Sequence, residues 1–396
     1  MKKIVFLGYV VAPDEVHDYK GISIAGNKMQ WNVVKNMSYS DDLHVECITI
    51  TPRAVFPSEK KMYQNKEVVN LLNDVKSYRV PYLNIPLIKQ ISQIFSVYTE
   101  LKRLIETDKI DSLLCFNLFP QVGIPMRLIK KKYPQIDTVC LLADLPIDDK
   151  PNRKGVSKFL RHLFDKSTWK SMNKCDRYIV LNESVFGKYL PYKPYIVVDG
   201  GIDDDMRNLY NGDVKKNDEK NILYCGSLAE YSGVRNLLKA FESIPSKDIY
   251  LDIYGSGNLQ DEILEASKRD CRIRFHGRIN NNEMLRLQRE AWVLINPRSP
   301  SDPIAQVTFP SKTFEYLLSG TPVISTRLNC YGKEYNDLMF YTVDGSAESI
   351  AQKIIEVDNM NPMNLQSISI KAKRFVEEKR TWSHQVDRIV AFLTNY

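Results

Sequence analysis

Short apolar segments alternate with longer segments of helical period along almost the whole chain, and this alternation constrains the fold more than any other feature. Such a pattern is typical of a mostly parallel sheet whose strands are joined by helices. In the first half the predicted strands are Lys3–Tyr9, His44–Thr51, Ser77–Asn84, Ser112–Asn117, Asp137–Asp144, Arg177–Asn182 and Tyr195–Asp199. In the second half they are Ile222–Gly226, Tyr250–Gly255, Arg272–Gly277, Trp292–Pro297, Pro322–Thr326 and Met339–Val343.

A polar stretch rich in Gly and Asp separates the two sets of strands. With 396 residues, 43% of them hydrophobic, the chain is long enough for two cores. We therefore predict an α/β protein of two doubly wound, Rossmann-like domains, 1–203 and 220–396, joined by a linker at 204–219. The final helix, about 382–396, belongs either to the second domain or packs back on the first. The carboxyl ends of both sheets are expected to face a central cleft, where function should lie.

Composition narrows the possible partners. The net charge of +7 with a pI near 8.8 favours phosphorylated metabolites, nucleic acid or an anionic membrane surface. The 7 cysteines show no Cys/His ligand spacing, so we interpret them as reduced thiols of a cytosolic protein. The start, MKKIVFLGYVVAP, lacks a signal-peptide cleavage site and is predicted to be a buried strand. No stretch approaches the ~20 apolar residues needed to span a bilayer.

The segment FPSKTFEYLLSGTPVIST, Phe309–Thr326, combines a turn, a short helix and an apolar strand. Pro310 favours an extended Phe309, Ser311 is a candidate N-cap, and Gly320 is a candidate helix stop. Free backbone N–H groups at such a helix start favour phosphate.

Two charged residues in this helix suggest nucleotide chemistry. The Lys312 ammonium would add positive charge beside a phosphate, and the Glu315 carboxylate can accept hydrogen bonds from both hydroxyls of a ribose. An ordinary αβ unit with a solvated Lys and Glu is the alternative interpretation.

With these residues the sequence resembles the retaining glycosyltransferases of family four, which have the GT-B fold, in the branch that builds bacterial surface polysaccharides. In that family an apolar strand precedes two glutamates at a fixed spacing, the second within an EYLASGKPVI-like run, which FEYLLSGTPVIS matches. The resemblance implies that Glu315 binds the ribose of the donor. The first glutamate would fall at Val307 and is missing, which leaves the donor-sugar contact to Gln306 or Asp302.

A second matching segment, NILYCGSLAEYSGVRNLLKAF, opens the second domain. Family members often have an arginine and a lysine here that hold the donor diphosphate, whereas this chain has Ser227, next to Gly226, and Ser232. Charge for the diphosphate would then come from Lys312 or from Arg235, and a solvated surface role is the alternative for Arg235.

Two glycine turns in the second half complete the predicted donor site. Gly255 and Gly257 follow a strand in YLDIYGSGNLQDEIL, which is only an incomplete dinucleotide fingerprint. The resemblance implies that Gly255 lines one edge of the nucleotide site and that Gly277 and Arg278 contact the base. His276 is interpreted as an ordinary strand histidine.

In the first half the candidate residues belong to the acceptor side. Backbone amides near Gly26 and Asn27, at a predicted helix start, could face a phosphate or an acceptor hydroxyl. The strand DTVCLLAD ends at Asp144, where much of the family has a histidine that touches the donor sugar. Asp144 either contacts sugar hydroxyls or caps the next element, and with Lys312 it is our candidate catalytic residue.

No metal site or cofactor is predicted. The nearest approach to an Asp-x-Asp motif is Asp203–Asp205 in the presumed linker, and a GT-B enzyme neutralises its leaving diphosphate with cations and helix dipoles instead. The segment 153–174 reads as a basic amphipathic helix with an apolar stripe at Val156, Phe159, Leu160, Leu163 and Phe164. That stripe either packs on the sheet or meets an anionic bilayer, and the two roles are compatible if it turns inward while the charges face lipid. No nucleic-acid recognition motif is visible.

The sequence thus predicts a metal-independent glycosyltransferase of capsule, exopolysaccharide or O-antigen synthesis. It would use a UDP- or GDP-sugar and a polysaccharide or lipid-linked acceptor in the cytoplasm, peripheral to the plasma membrane's inner face. Two alternatives stay open: an inactive GT-B partner of another transferase, and a sugar-nucleotide epimerase.

Overall fold

The computed structural model describes residues 1–72, 74–146, 155–204, 206–210, 212 and 214–395. The chain divides into two compact units. Unit 1 comprises Met1–Asp199 and Gln385–Tyr396, and unit 2 comprises Gly200–His384. Each unit contains a mostly parallel sheet with connecting helices, as the strand and helix alternation of the sequence predicts.

The elements of unit 1 follow one another in βα order. Its strands are β1 (Lys2–Gly8), β2 (Leu43–Thr49), β3 (Tyr63–Gln64), β4 (Glu67–Leu72), β5 (Val75–Arg79), β6 (Tyr82–Leu83), β7 (Ser112–Phe116), β8 (Asp137–Leu142), β9 (Arg177–Val180) and β10 (Tyr195–Val197). Its helices are α1 (Ile24–Met37), α2 (Ile88–Thr107), α3 (Pro120–Lys132) and α4 (Gly155–Lys174).

The main sheet of unit 1 has the order β10-β9-β8-β7-β1-β2-β5-β4. All neighbours run parallel except β4 and β5, which form an antiparallel edge. The chain moves outward from β1 through β2, returns to β7 on the other side of β1, and continues to β10. This reversal of strand order between β1 and β7 is a topological switch point, where doubly wound sheets bind ligands beyond the carboxyl ends of their strands.

The predicted strand Ser77–Asn84 is wrong as a single element. Pro81 lacks the N–H that a continuing ladder requires, and the segment divides into β5, which pairs with β2, and β6, which pairs with β3 in a separate small sheet. Strand β4, whose first four positions alternate between half-buried and exposed, was not predicted from the sequence.

Unit 2 also consists of strands that alternate with helices. Its strands are β11 (Lys220–Ser227), β12 (Ile249–Ser256), β13 (Ile273–Gly277), β14 (Val293–Asn296), β15 (Val323–Thr326) and β16 (Phe340–Thr342). Its helices are α5 (Met206–Leu209), α6 (Val234–Glu242), α7 (Gln260–Arg269), α8 (Asn281–Glu290), α9 (Pro303–Val307), α10 (Lys312–Leu318), α11 (Ala347–Asp358) and α12 (Pro362–Lys379). The final helix of the chain, α13 (Trp382–Thr394), begins in unit 2.

The sheet of unit 2 is parallel throughout, in the order β13-β12-β11-β14-β15-β16. Its core is apolar, with Ile222, Leu237, Phe241 and Ile253 fully buried. The strand order reverses between β11 and β14, so the loops that follow these two strands meet at the switch point of this sheet.

Residues 204–219, expected to form a linker, are attached to unit 2 where the structure describes them. Tyr210 is fully buried, with its hydroxyl 3.3 Å from Gln288 Oε1. The Lys216 ammonium donates to Thr321 Oγ1 at 2.6 Å and to the Ala291 carbonyl at 3.0 Å. The chain's last residues are held on unit 1, where Lys2 Nζ donates to the Leu393 carbonyl at 3.2 Å.

Candidate functional site

Unit 1 contains a cavity of about 960 Å³ at its switch point. Residues that follow β1, β2, β7 and β8 form its floor, and the start of α2 and the first half of α4 form its walls. The lining includes Tyr9, Gly26, Asn27, Gln30, Thr51, Arg53, Leu87, Lys89, Gln93, Asn117, Phe119, Gln121, Asp144, Leu160, Arg161 and Phe164. The predicted acceptor-side residues Gly26, Asn27 and Asp144 therefore line one cavity.

Asp144 is oriented by Asn117, which the sequence analysis missed. Asn117 has a positive φ of 46°, and its Oδ1 accepts the backbone N–H groups of Ala143 and Asp144 at 2.9 and 3.0 Å. Its amide nitrogen donates to Asp144 Oδ2 at 3.3 Å. Asp144 reaches solvent through the cavity, yet the enclosing walls raise the pKa of its carboxyl, and the bond from Asn117 opposes this rise. The alternative capping role involves residues 147–154, which lie outside the described residues.

The backbone amides at Gly26 and Asn27 already have partners. The Gly26 N–H donates to Ser23 Oγ, the cap of α1, at 3.2 Å, and the Asn27 N–H donates to the Ser23 carbonyl at 2.8 Å. These two groups are therefore not free for a ligand. The buried Asn27 side chain instead binds both backbone groups of Val11, and Gln30 Oε1 accepts the Tyr9 N–H at 2.7 Å.

Basic groups enter the same cavity from three elements. Arg53 bonds Gln64 Oε1 at 2.7 Å and pairs with Glu59, and Arg161 pairs with Asp165 at 2.9 Å. The Lys89 ammonium donates to the Arg53 carbonyl at 2.5 Å. Burial lowers the pKa of Lys89, while Glu59 opposes and Arg53 reinforces that decrease. None of these residues has a local sequence signal that points to the cavity.

The helix in FPSKTFEYLLSG forms as α10, but the predicted cap is wrong. Ser311 has helical backbone angles and makes no side-chain cap hydrogen bond. The turn begins one residue earlier, where the Pro310 carbonyl accepts the Thr313 N–H at 2.9 Å. Gly320 follows the helix with a positive φ of 71°, as expected for a helix stop. Phe309 is buried against the Phe314 ring, 4.8 Å between centroids, so its side chain is part of the core.

Lys312 and Glu315 bind each other across one helical turn. Lys312 Nζ lies 2.6 Å from Glu315 Oε2, with side chains 37% and 20% exposed. Burial alone would lower the pKa of Lys312. The interactions of its ammonium with Glu315 and Cys225 outweigh burial, so the pKa of Lys312 is raised. The ammonium is therefore charged at neutral pH and sits beside the carboxylate that the resemblance assigns to ribose.

Arg235, a candidate for the diphosphate, is held elsewhere. Its guanidinium pairs with Glu230 and with Glu262, each at 2.5 Å. These two carboxylates raise its pKa. Ser227 is exposed at the end of β11 and Ser232 is buried in the following loop.

The two glycine turns differ in whether there is room for a side chain at the glycine. Gly255 has a φ of 143°, and a Cβ there would overlap the Gly226 carbonyl oxygen. Gly277 has a φ of 68° and open space beside it, and Arg278 is exposed next to it. His276 Nε2 donates to Asp252 Oδ1 at 2.7 Å, and its ring stacks on Tyr254, which agrees with its interpretation as an ordinary strand histidine.

The position of the missing first glutamate is buried. Val307 ends α9 and is 7% exposed. Asp302, one of the suggested substitutes, lies at the start of α9, where its Oδ1 accepts the Ala305 N–H at 3.3 Å.

Arg298 is a residue of this region that the sequence analysis missed. It follows β14 directly after Pro297, opposite the loop between β11 and α6. A Cβ at Gly233 in that loop would overlap the Pro297 carbonyl oxygen, so the two segments are in contact. Its signal in the sequence is a cation immediately after an apolar strand, but only the strand order shows that this strand borders the switch point.

No metal-binding cluster of three His, Cys, Asp or Glu side chains occurs among the described residues. Asp204 Oδ1 accepts the Ser383 hydroxyl at 3.0 Å. Asp205, the last member of the Asp203–Asp205 run, lies outside the described residues.

The apolar stripe of α4 is mostly exposed, contrary to the inward orientation considered from the sequence, although Phe164 is half-buried against Phe119, with ring centroids 5.6 Å apart. Phe159 is 61% exposed and Leu160 and Leu163 are also exposed, while the buried face carries Thr168, Ser171 and Met172. The inner face is small because Ser171 meets Gly123 of α3, where a Cβ would clash. Arg153, Lys154 and the Val156 side chain lie outside the described residues.

Helix α2 presents a second apolar face that the sequence analysis missed. Leu87, Ile91 and Phe95 are 74%, 68% and 70% exposed, at a spacing that puts them on one side of the helix. Within the described residues no helix is both long and apolar enough to cross a bilayer. The two exposed faces belong to the two helices that wall the unit 1 cavity.

Comparison with known proteins identifies relatives of this architecture. Residues 219–359 match the family described as "Glycosyl transferases group 1". Comparison with curated protein sequences finds no significant match.

Solved structures match over the whole chain. HepE of Anabaena, in complex with UDP, is 15% identical with a TM-score of 0.63, covering 100% of both chains. WaaG, a glycosyltransferase involved in lipopolysaccharide biosynthesis, is 15% identical with a TM-score of 0.61, covering 99% of this chain and 100% of that one. Sucrose-phosphate synthase of Thermosynechococcus elongatus is 12% identical with a TM-score of 0.66, covering 100% and 99%. These likenesses confirm the predicted fold class, two Rossmann-like α/β domains as in GT-B glycosyltransferases.

Proposed function

We propose that this protein is a glycosyltransferase that moves a sugar from a nucleotide-sugar donor to a glycan or lipid-linked glycan. The observation that carries the proposal is the match of residues 219–359 to glycosyltransferases group 1. That stretch contains Ser227, Arg235, Gly255 and Gly277 and the whole segment Phe309–Thr326. The predicted donor site and the family match therefore coincide in unit 2.

On the donor side, Glu315 accepts hydrogen bonds from the ribose hydroxyls and Lys312 supplies positive charge toward the diphosphate. Their 2.6 Å contact holds the carboxylate in place before the nucleotide arrives. The backbone at Pro310, Ser311, Gly226 and Gly255 and the exposed Gly277–Arg278 turn line the rest of the nucleotide. Fixed cations then stabilise the leaving diphosphate without a metal ion.

On the acceptor side, the unit 1 cavity receives the glycan. Asp144 presents a carboxylate, oriented by Asn117, to sugar hydroxyls. Retention at the anomeric carbon follows the mechanism proposed for family four, in which the leaving phosphate takes the acceptor proton. Such a mechanism requires no protein nucleophile, in keeping with the lack of a clear one in the sequence.

We further propose that unit 1 binds the inner face of the plasma membrane and that the acceptor is lipid-linked. The exposed apolar faces of α2 and α4 support this, because they adjoin the cavity that would take the acceptor. The described part of α4 also carries Lys158, Lys166, Lys170 and Lys174. Each such charge near an anionic surface contributes about 1 kcal/mol. The pathway class is that of capsule, exopolysaccharide or O-antigen synthesis.

A non-catalytic partner of another transferase is a second candidate. Val307, Ser227 and Ser232 replace charged residues of the family pattern, and Arg235 is paired with two carboxylates. None of the residues that the structure describes favours an epimerase with the same fold.

A nucleotide panel tests donor binding. Thermal unfolding is measured with UDP, GDP, CMP and dTDP for the wild type, Glu315→Gln and the control Glu356→Gln. Glu356 forms the same i,i+3 pair with a lysine, at 2.5 Å on a surface helix of the same unit. A nucleotide at 100 times its dissociation constant adds about 2.7 kcal/mol of stability. We expect one nucleotide to stabilise the wild type and Glu356→Gln but not Glu315→Gln; equal shifts in all three would reject the role of Glu315, and no shift with any nucleotide would reject the proposal.

A further inference from the structure

Arg298 lies where a doubly wound sheet binds ligands. β11 and β14 are hydrogen-bonded neighbours, with Ile222 opposite Val293 and Leu223 opposite Leu294. The strand order reverses between them, and Arg298 follows the carboxyl end of β14. Its side chain lies between the loop after β11 and the segment before α10. The guanidinium carbon is 5.0 Å from the Tyr231 ring centroid, and Nη2 donates to Thr308 Oγ1 at 3.0 Å.

The guanidinium is buried without a counter-charge. Arg298 is 9% exposed, its Nε has no hydrogen-bond partner, and no carboxylate oxygen of the described residues lies within 4.0 Å of it. The other buried arginines of the described chain behave differently. Arg79 pairs with Glu15, Arg177 with Asp137 and Arg380 with Glu334. Since an unpaired buried cation is unfavourable, a bound anion is the natural partner for Arg298.

The neighbouring residues do not supply that anion. Ser227 and Ser232 are neutral, and Glu230, the carboxylate of the facing loop, is bound to Arg235 together with Glu262 of α7. Arg235 is in turn neutralised by these two carboxylates. Arg298 is therefore a cation at this edge that is not already committed to a carboxylate.

We propose that Arg298 binds the diphosphate of the nucleotide donor. The proposal rests on the proposed function, because it places the donor at the switch point of unit 2. The planar guanidinium presents several N–H donors in a fixed fork that matches two phosphate oxygens. Tyr231 and Thr308 hold the plane of the fork, so little conformational freedom is lost on binding. The positive charge for the diphosphate is thus supplied by a residue that follows β14, and not by the loop after β11.

Ligand binding separates the role of Arg298 from that of the rest of the site. Calorimetric titration of the full chain uses UDP, GDP, uridine, guanosine and inorganic pyrophosphate, with wild type, Arg298→Gln, Arg298→Lys and the surface control Arg269→Gln. Arg269 makes an exposed pair with Glu242 at 3.1 Å. Loss of a charge-assisted contact weakens binding about 10-fold or more. We expect Arg298→Gln to lose that much for the diphosphates and pyrophosphate, with the nucleosides unchanged and Arg298→Lys intermediate.

Stability without ligand gives a second readout that a structural role would not produce. Removing an unpaired buried cation relieves its desolvation cost, whereas removing a paired one loses its bonds. We expect the melting temperature of Arg298→Met to equal or exceed that of the wild type, and that of Arg380→Met to fall.

The binding and melting experiments have three outcomes that count against the inference. If the wild type binds a nucleoside diphosphate and Arg298→Gln binds it equally well, the inference fails while the proposed function stands. If the wild type binds none of the diphosphates, both fail. A lowered melting temperature or misfolding of both Arg298→Met and Arg298→Lys without ligand identifies a structural residue and overturns the inference.

Discussion

Replacing Phe95 and Phe159 with serine should weaken membrane binding without unfolding unit 1. The side chains lie on the outer faces of α2 and α4, 70% and 61% exposed. Full burial of a phenylalanine side chain is worth about 1.5–3 kcal/mol, so insertion of the exposed share is worth roughly 1–2 kcal/mol each. The double substitution should lose roughly 2–4 kcal/mol, or about 30- to 1000-fold in partitioning.

The assay is co-sedimentation with phosphatidylcholine vesicles, with and without phosphatidylglycerol, at low and high salt. Wild type should bind the anionic vesicles, and salt should weaken the binding because lysine charges contribute. Tyr39→Ser is the matched control. Tyr39 is 68% exposed, but it lies between the end of α1 and the start of β2, on the side of the strands' amino ends, whereas the cavity lies beyond their carboxyl ends. Equal sedimentation of the wild type and the double variant, or none by the wild type, would refute this use of the two faces.

Two further predictions concern the cavity and the glycine turns. The pKa of Asp144 is raised in the folded state, so its ionisation costs stability as the pH rises through the folded pKa. Asp144→Asn should melt higher than wild type at pH 7, with the gap closing below about pH 4, and calorimetric scans would contradict this if the gap were pH-independent. Gly277→Ala should cost about 1–2 kcal/mol from its positive φ alone, whereas Gly255→Ala should cost more because its Cβ overlaps the Gly226 carbonyl oxygen. Denaturant melts with equal losses would reject that distinction.

The strands were predictable because buried parallel strands are short, apolar and separated by helical segments. Their order was not, since periodicity does not say which strands are neighbours. Arg298 illustrates the consequence. Its position after an apolar strand is visible in the sequence, but its meeting with the loop after β11 depends on β14 lying beside β11.

Helix α4 shows a second limit of sequence patterns. A helical stripe of apolar residues predicts an amphipathic helix, but it does not identify which face the sheet covers. Close packing of Ser171 on Gly123 made the polar, small face the inner one. The large side chains at Phe159 and Leu163 were left outside.

The remaining differences between the predicted and the observed site residues arise from their hydrogen-bond and ion-pair partners. The sequence predicts Glu315 as a carboxylate for ribose, and the structure adds its contact with Lys312. Gly26 and Asn27 were predicted from their place at a helix start, but the Ser23 cap takes their N–H groups. Local sequence indicates which groups are available, whereas the fold determines which are already satisfied.

The most direct test of the central claim is sugar transfer itself. Purified protein is incubated with labelled UDP- and GDP-sugars, with and without a lipid-linked glycan extract and without added metal, and the products are examined by mass and anomeric configuration. The account predicts an acceptor product heavier by one sugar, with the donor's anomeric configuration retained. Donor binding without any transfer would contradict it in favour of a partner subunit, and an altered sugar formed without acceptor would contradict it in favour of an epimerase.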